Sequence, residues 1–188
     1  MTLVRDTAGT IERLRRTQSR MAIIAYGDEL NSFAGQRMLE LLRAGGDTVG
    51  FFRLWPMSGK ASYDSARVVI GRAPTVIFAA SVRPISGRGF IALPDSLARL
   101  ITATDSAKPT VLVALGSPYL LSQTPTVKSY MIGWSSARVA EKAAARALLG
   151  WSPIRGTLPI RIPPGYPIGH GLVEPASTLR GFGRFAGA

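Results

Sequence analysis

The chain has 188 residues, the size of one compact domain, and its 46% hydrophobic and 18% charged residues exclude a disordered polymer. It has no cysteine, which removes disulfide scaffolds, thiolate clusters and cysteine nucleophiles, and one histidine with eleven acids leaves little material for a metal centre. The formal net charge of +12, from nineteen Arg and four Lys, reads either as a phosphate-binding surface or as a solvated basic one.

Residues 1–20 are polar and basic, with Arg13, Arg15, Arg16 and Arg20 clustered, and carry no apolar signal-peptide core. They read as a leader or linker. No apolar run reaches the roughly 18 residues that span a bilayer, so a soluble chain with no membrane span is expected. The compartment stays open: cytoplasmic by default, exported if a preceding segment carried a signal. The other arginines are scattered, without an RNP-type strand or zinc-finger spacing, so no nucleic-acid partner is expected.

From residue 21 onward, apolar runs alternate with helical spacing. Met21–Gly27 is a strand stopped by glycine. Leu30, Phe33, Ala34, Met38, Leu41 and Leu42 then share one helical face, closed by Gly45 and Gly46. Thr48–Leu54 reads as a strand, Ala61–Gly71 as a weaker helix, and Thr75–Ser81 as a strand buried on both faces. A loop from Val82 to Leu93 follows. Pro94 and Asp95 suit the first turn of a helix that buries Leu97, Leu100 and Ile101.

Thr110–Gly116 is the clearest strand, followed by a helical turn near Tyr119–Ser122 and an apolar run at Val127–Trp134. An Ala-rich helix covers Ser136–Leu149, with Gly150 just past its end. Thr157–Ile162 alternates and carries a proline, which suits a sheet edge. The pattern predicts an α/β fold: a three-layer α/β/α sandwich on a mostly parallel sheet of about six strands, with an edge strand free to run antiparallel. The expected organisation is a leader over 1–20, a sandwich domain over 21–172 and a flexible tail over 173–188.

In such folds ligands sit beyond the carboxyl ends of the strands. The turn after the first strand, Gly27-Asp-Glu-Leu-Asn-Ser, lacks the dinucleotide fingerprint, and no phosphate loop occurs anywhere, so no cofactor is expected. Gly133-Trp-Ser-Ser-Ala137 resembles a nucleophile elbow, with Ser135 as nucleophile and His170 as base, but the only acid between them, Glu141, lies on the helix that starts at the elbow. Its final Gly is replaced by Ala, and Ser135 reads equally as a helix cap. His170 fits a packed or exposed tail residue as well as a base.

Among the carboxylates, Glu40, Asp64, Asp105 and Glu141 fall on helices, where a solvated face is the ordinary reading. Asp47 is a turn residue, Asp6 and Glu12 belong to the leader, and Glu174 to the tail. Asp28, Glu29 and Asp95 lie near strand ends but also suit caps or first turns. No acid/base pair and no metal site emerges. The loop Ser81–Phe90 is the best binding candidate, because Arg83, Ser86 and Arg88 are donors and Gly87 and Gly89 permit close backbone approach. An ordinary exposed loop is the alternative reading.

Four segments in order carry a resemblance. They are Lys108-Pro-Thr-Val-Leu-Val-Ala-Leu-Gly-Ser-Pro-Tyr119, Ala143-Ala-Ala-Arg-Ala-Leu-Leu-Gly150, Ile154-Arg-Gly-Thr-Leu-Pro-Ile-Arg-Ile-Pro163 and Tyr166-Pro-Ile-Gly-His-Gly-Leu172. Together they resemble the C-terminal α/β sandwich domain of family 3 glycoside hydrolases, in the β-N-acetylhexosaminidase branch. Ser117 stands where that family usually has Asn. Thr2-Leu-Val-Arg-Asp6 is similar to the segment leading from the catalytic barrel, with Gly9-Thr-Ile-Glu-Arg-Leu replacing the usual Gly-x-Leu-Pro-Leu.

The resemblance implies a sugar-hydrolysing assembly. Its nucleophilic Asp lies in a (β/α)8 barrel, and its acid/base is an Asp–His pair on a barrel loop in the hexosaminidase branch. In the β-glucosidase branch a Glu of the C-terminal domain serves as acid/base. The matching loop here, Arg83–Leu93, holds no carboxylate, which fits the hexosaminidase branch. The expected role is a non-catalytic half that acts with a barrel, in cis or in trans, on a carbohydrate substrate and is inactive alone. A carbohydrate or cell-wall binding module and a Ser135 hydrolase are the alternatives.

Overall fold

The computed structural model describes residues 1–27, 33–83, 91–177 and 179. Six strands form one sheet: β1 (Thr2–Asp6), β2 (Arg20–Gly27), β3 (Thr48–Leu54), β4 (Thr75–Val82), β5 (Thr110–Gly116) and β6 (Ser129–Ile132). Their spatial order is β1-β6-β5-β4-β2-β3. All neighbours run parallel except β1, which pairs antiparallel with β6.

Five helices cover the sheet: α1 (Thr10–Arg16), α2 (Gln36–Ala44), α3 (Lys60–Gly71), α4 (Asp95–Ala107) and α5 (Arg138–Leu148). Strand alternation divides the core in two. Ile23, Ala25, Ile77, Val111, Val113 and Met131 pack with α1, α2 and α5. Ile24, Tyr26, Phe78, Ala80, Leu112 and Tyr130 pack with α3 and α4. This is the expected three-layer sandwich, and β4 is buried along its whole length because both faces are covered.

The antiparallel edge is not the one the sequence suggested. Residues 157–162 form no strand, and β1, from the segment read as a leader, holds the edge instead. Leu158 and Ile162, four residues apart, are both buried in the core on the α3/α4 side. Their backbone bonds go to the chain's own tail: Leu158 N–H to the His170 carbonyl at 2.8 Å and Ile162 N–H to the Tyr166 carbonyl at 2.9 Å. Alternation here reflects a looped segment laid on the core.

The tail is held well past residue 172. Leu172 bridges Leu3, Glu174 bridges Ile154, and the Ser177 N–H reaches the Gly150 carbonyl at 2.8 Å. We call residues 163–177 the strap. Arg5 secures it on the outer edge, donating from Nε to the Tyr166 hydroxyl at 2.6 Å and from Nη1 to the carbonyls of Pro125 and Val127. Arg15, buried on α1, holds its far end by donating to the carbonyls of Ala147 and Pro175.

The second helix begins later than its apolar spacing suggests. Gly35, in the left-handed region at φ 78°, precedes it, and Phe33 is left 58% exposed beneath the Arg138 guanidinium. Leu30 of that expected face lies outside the described residues. No helix among the described residues is long and apolar enough to cross a membrane.

Candidate functional site

Chain order and spatial order together locate a crevice. β2 leads outward to β3 through α2 on one face, while β4 leads the other way to β5 through α4 on the opposite face. β2 and β4 are neighbours, so the direction of winding reverses between their carboxyl ends, at Gly27 and Ser81. Such a switch point opens a cleft where loops splay apart. The segments leaving these two strands, residues 28–32 and 84–90, lie outside the described residues.

The candidate loop therefore divides. Arg83 is described and stands exposed at the exit of β4, whereas Ser86, Gly87, Arg88 and Gly89 lie outside the described residues, as do Asp28 and Glu29. The Ser117 N–H bonds the Val82 carbonyl at 2.7 Å, tying the end of β5 to that of β4. Gly116 makes this approach at φ 111°, where a Cβ would lie 2.3 Å from the Val82 oxygen. Only glycine fits such a contact without distortion.

Ser117, buried beside this junction, accepts the Tyr119 N–H at 3.4 Å and starts a 3-10 turn over Pro118–Ser122. Tyr130 donates its hydroxyl to the Pro118 carbonyl at 2.8 Å, and burial pushes that hydroxyl far above the ordinary phenol range. Tyr119 is left 46% exposed on the rim. Next to it in strand order, Trp134 follows β6 with a left-handed backbone at φ 60°, its indole N–H bonded to the Thr2 hydroxyl at 3.0 Å. Periodicity gives no warning of Trp134, since its conformation is fixed by a partner 132 residues away.

Two carboxylates read as solvated are buried. Glu141, in the first turn of α5, is 3% exposed and accepts the N–H groups of Gly35 at 2.8 Å and Arg37 at 3.0 Å. It caps α2 from a neighbouring helix, taking up donors that a helix start leaves open. Burial raises its pKa, opposed by those N–H groups and by Arg138. Asp105, also 3% exposed, accepts the Lys128 N–H at 3.2 Å, with the Lys128 ammonium 3.7 Å from its other oxygen.

The remaining inward-facing acids follow the same pattern. Asp6 accepts the N–H groups of Thr10 and Ile11, each at 3.0 Å, and the Ser129 hydroxyl at 2.5 Å. Asp47 accepts the Ser19 N–H at 2.8 Å. Asp95 stays exposed at the start of α4. Among the described residues no group of three or more metal-ligating side chains gathers.

The elbow residues do not assemble. Ser135 accepts the Ala137 N–H at 3.1 Å, a local turn two residues before α5. His170 has its Nε2 2.7 Å from the Val4 carbonyl and its ring 4.8 Å from that of Tyr166. No hydrogen bond joins Ser135 to His170 among the described residues, and Glu141 is committed to α2. Among the described residues, the carboxyl ends of β4, β5 and β6 thus lead to Arg83, Tyr119 and Trp134 rather than to an assembled acid, base and nucleophile.

The sequence matches no family model and no curated protein. Solved structures do match. A family 3 β-N-acetylglucosaminidase from Paenibacillus sp. str. FPU-7 aligns with TM-score 0.65 at 15% identity, over 83% of this chain and 29% of that one. A fungal multi-domain family 3 β-N-acetylglucosaminidase aligns with TM-score 0.61 at 19% identity, over 87% of this chain and 18% of that one. A family 3 β-glucosidase from Bifidobacterium adolescentis gives 0.61 at 15% identity, over 83% and 26%. The chain therefore spans less than a third of each solved chain and shares the fold of one portion of it.

Proposed function

We propose that this chain is the sandwich domain of a family 3-type glycosidase, acting with a (β/α)8 barrel on O-glycosyl bonds of the β-N-acetylhexosaminide kind. The observation that carries this reading is the proportion of the match: 83% of this chain lies on only 29% of a β-N-acetylglucosaminidase. Fold alone hosts many functions. The ordered motif series from Lys108 to Leu172 adds the family-specific support.

Glycoside hydrolysis needs two carboxyl groups held roughly 5–10 Å apart across the scissile bond. Asp6, Asp47, Asp105 and Glu141 are occupied with backbone N–H groups, which leaves them unsuited to proton transfer. The family resemblance implies that the catalytic pair belongs to the barrel. The contribution of this chain is the rim: Arg83 with Ser86, Gly87, Arg88 and Gly89 shape one wall of the sugar site, the guanidinium forks donating to hydroxyl or carboxylate groups.

The purified chain is expected to leave a chromogenic N-acetylglucosaminide unhydrolysed. Turnover that copurifies with the protein through successive columns would overturn the reading. The net charge of +12 supports a second one, a non-catalytic module for anionic cell-wall polymers. Retention on teichoic acid that is lost in high salt would favour that alternative.

A further inference from the structure

We propose that the outer edge of β3 accepts an extended acidic segment of a partner protein as a seventh strand. The two edges of the sheet are treated differently. At β1 the chain covers its own edge, with Gly156 N–H on the Met1 carbonyl at 3.1 Å and Leu172 N–H on the Leu3 carbonyl at 2.8 Å. At β3, the last strand in the sheet order, no further strand pairs on the far side among the described residues.

The pairing pattern shows which groups face outward. The Thr48 N–H bonds the Ser19 carbonyl at 3.1 Å, so Thr48, Gly50, Phe52 and Leu54 turn their backbone groups toward β2. Val49 and Phe51 therefore direct theirs away from the sheet. On that side the Arg43 guanidinium donates from Nη2 to the Val49 carbonyl at 2.8 Å. A guanidinium N–H thus stands where the N–H of another strand would stand.

β3 contains no proline and no lysine, carries Arg53 near its end, and keeps one register against β2 over seven residues. Phe51 and Phe52 are half-buried on opposite faces, and Gly50 is exposed between Val49 and Phe51. A strand laid alongside would cover both rings while filling the backbone bonds, the mode known as β-augmentation.

Charge selects the occupant. Arg43 is exposed beside Val49, and Arg20, at the start of β2, is exposed in register with Thr48. Arg72 is exposed at the end of α3, three residues beyond Val69, which packs against Gly50. Two described acids nearby are committed: Asp47 accepts the Ser19 N–H and Glu40 pairs with Arg37. A second copy would set these arginines against their equivalents, on molecules each carrying +12. An acidic strand is attracted by the same groups, and Arg43 can pass from the Val49 carbonyl to its carboxylate.

The probe is a fluorescent eight-residue peptide of alternating Glu and Val, titrated into the full chain by anisotropy, with amide exchange followed in parallel. Saturable, salt-weakened binding is expected, with slowed exchange at Val49 and Phe51. Arg43→Glu should weaken it by about tenfold or more, whereas Lys142→Glu, the same charge change on α5, should alter it less than about twofold. Far-UV circular dichroism checks that both variants fold. Absence of binding, equal binding of an equally charged peptide with alternating prolines, or equal binding to Arg43→Glu would each overturn the proposal. Concentration-dependent dimers with slowed Phe51 exchange and no peptide would assign the edge to a second copy instead.

Discussion

Gly116 and Gly9 both have positive φ, 111° and 60°, but a side chain would meet different surroundings at each. At Gly9 nothing lies within 4 Å of a Cβ, so Gly9→Ala carries only the left-handed backbone cost of about 1 kcal/mol. At Gly116 a Cβ would press to 2.3 Å from the Val82 carbonyl oxygen, and the β4–β5 junction behind Arg83 would have to open. Gly116→Ala should therefore cost about 3 kcal/mol or more, measured as a lower urea midpoint, and clearly more than Gly9→Ala. Comparing the two separates backbone strain from steric contact.

Glu141 gives a residue-scale dependence on pH. Its pKa is raised above 4.5 in the folded chain by burial, so between the unfolded and folded values the native state holds more protons than the unfolded state. Stability from this group is consequently greatest in acid and declines as pH rises from about 4.5 toward the folded value, then stays level. Chemical denaturation across that range should show the wild type losing stability relative to Glu141→Gln, with a constant difference above it. A difference that grows in the opposite direction would mean that the N–H groups of Gly35 and Arg37 outweigh burial. The sequence could not show this carboxylate as buried, because its partners lie 106 and 104 residues away.

At the scale of elements, legibility followed how local the determining interactions are. β4 announces itself because Thr75–Val82 is apolar on both faces and is buried on both. α4 starts at Asp95 after Pro94, as its first-turn residues suggest. β1 was hidden: five residues, TLVRD, become a strand only by pairing with Ser129–Ile132. Thr157–Ile162 misled for the complementary reason, its buried positions being set by bonds to Tyr166 and His170.

The strap is the element whose removal tests this account. Ending the chain after Ile162 deletes the Leu172 bond to Leu3, the Tyr166 hydroxyl that Arg5 reaches and the Pro175 carbonyl that buried Arg15 holds. Leaving a buried guanidinium short of acceptors is costly, on the order of 1–3 kcal/mol for each lost partner. The shortened chain should melt at a lower temperature, and amides of β1 should exchange before those of β4 and β5. Uniform exchange across the sheet would show that the strap contributes no local hold.

For the whole molecule, the layered sandwich was readable because strand–helix alternation and burial on both faces leave few other solutions. Winding order likewise gives the expected place of a cleft, between the carboxyl ends of β2 and β4. The side-chain environments were less legible. Asp105 and Glu141 look like surface acids when counted along a helix, and only the packed structure shows them turned inward onto backbone donors. Ser135 and His170 have the right order in sequence, yet each is held by a different neighbour.

The antiparallel pairing of β1 also orders events during synthesis. β1 is made near the beginning of this sequence, but its partner in β6 spans residues 129–132 and its outer bridge is Leu172. β2, β3, β4 and β5 pair among themselves using residues 20–116, so that block can collapse while β1 still has nothing to join. Contacts so distant along the chain form slowly because closing the loop costs entropy before any bond is gained. β1, made before the strands of that block, is thus among the last parts of the sheet to find its place, and a nascent chain stalled before residue 129 would leave β5 as a bare edge.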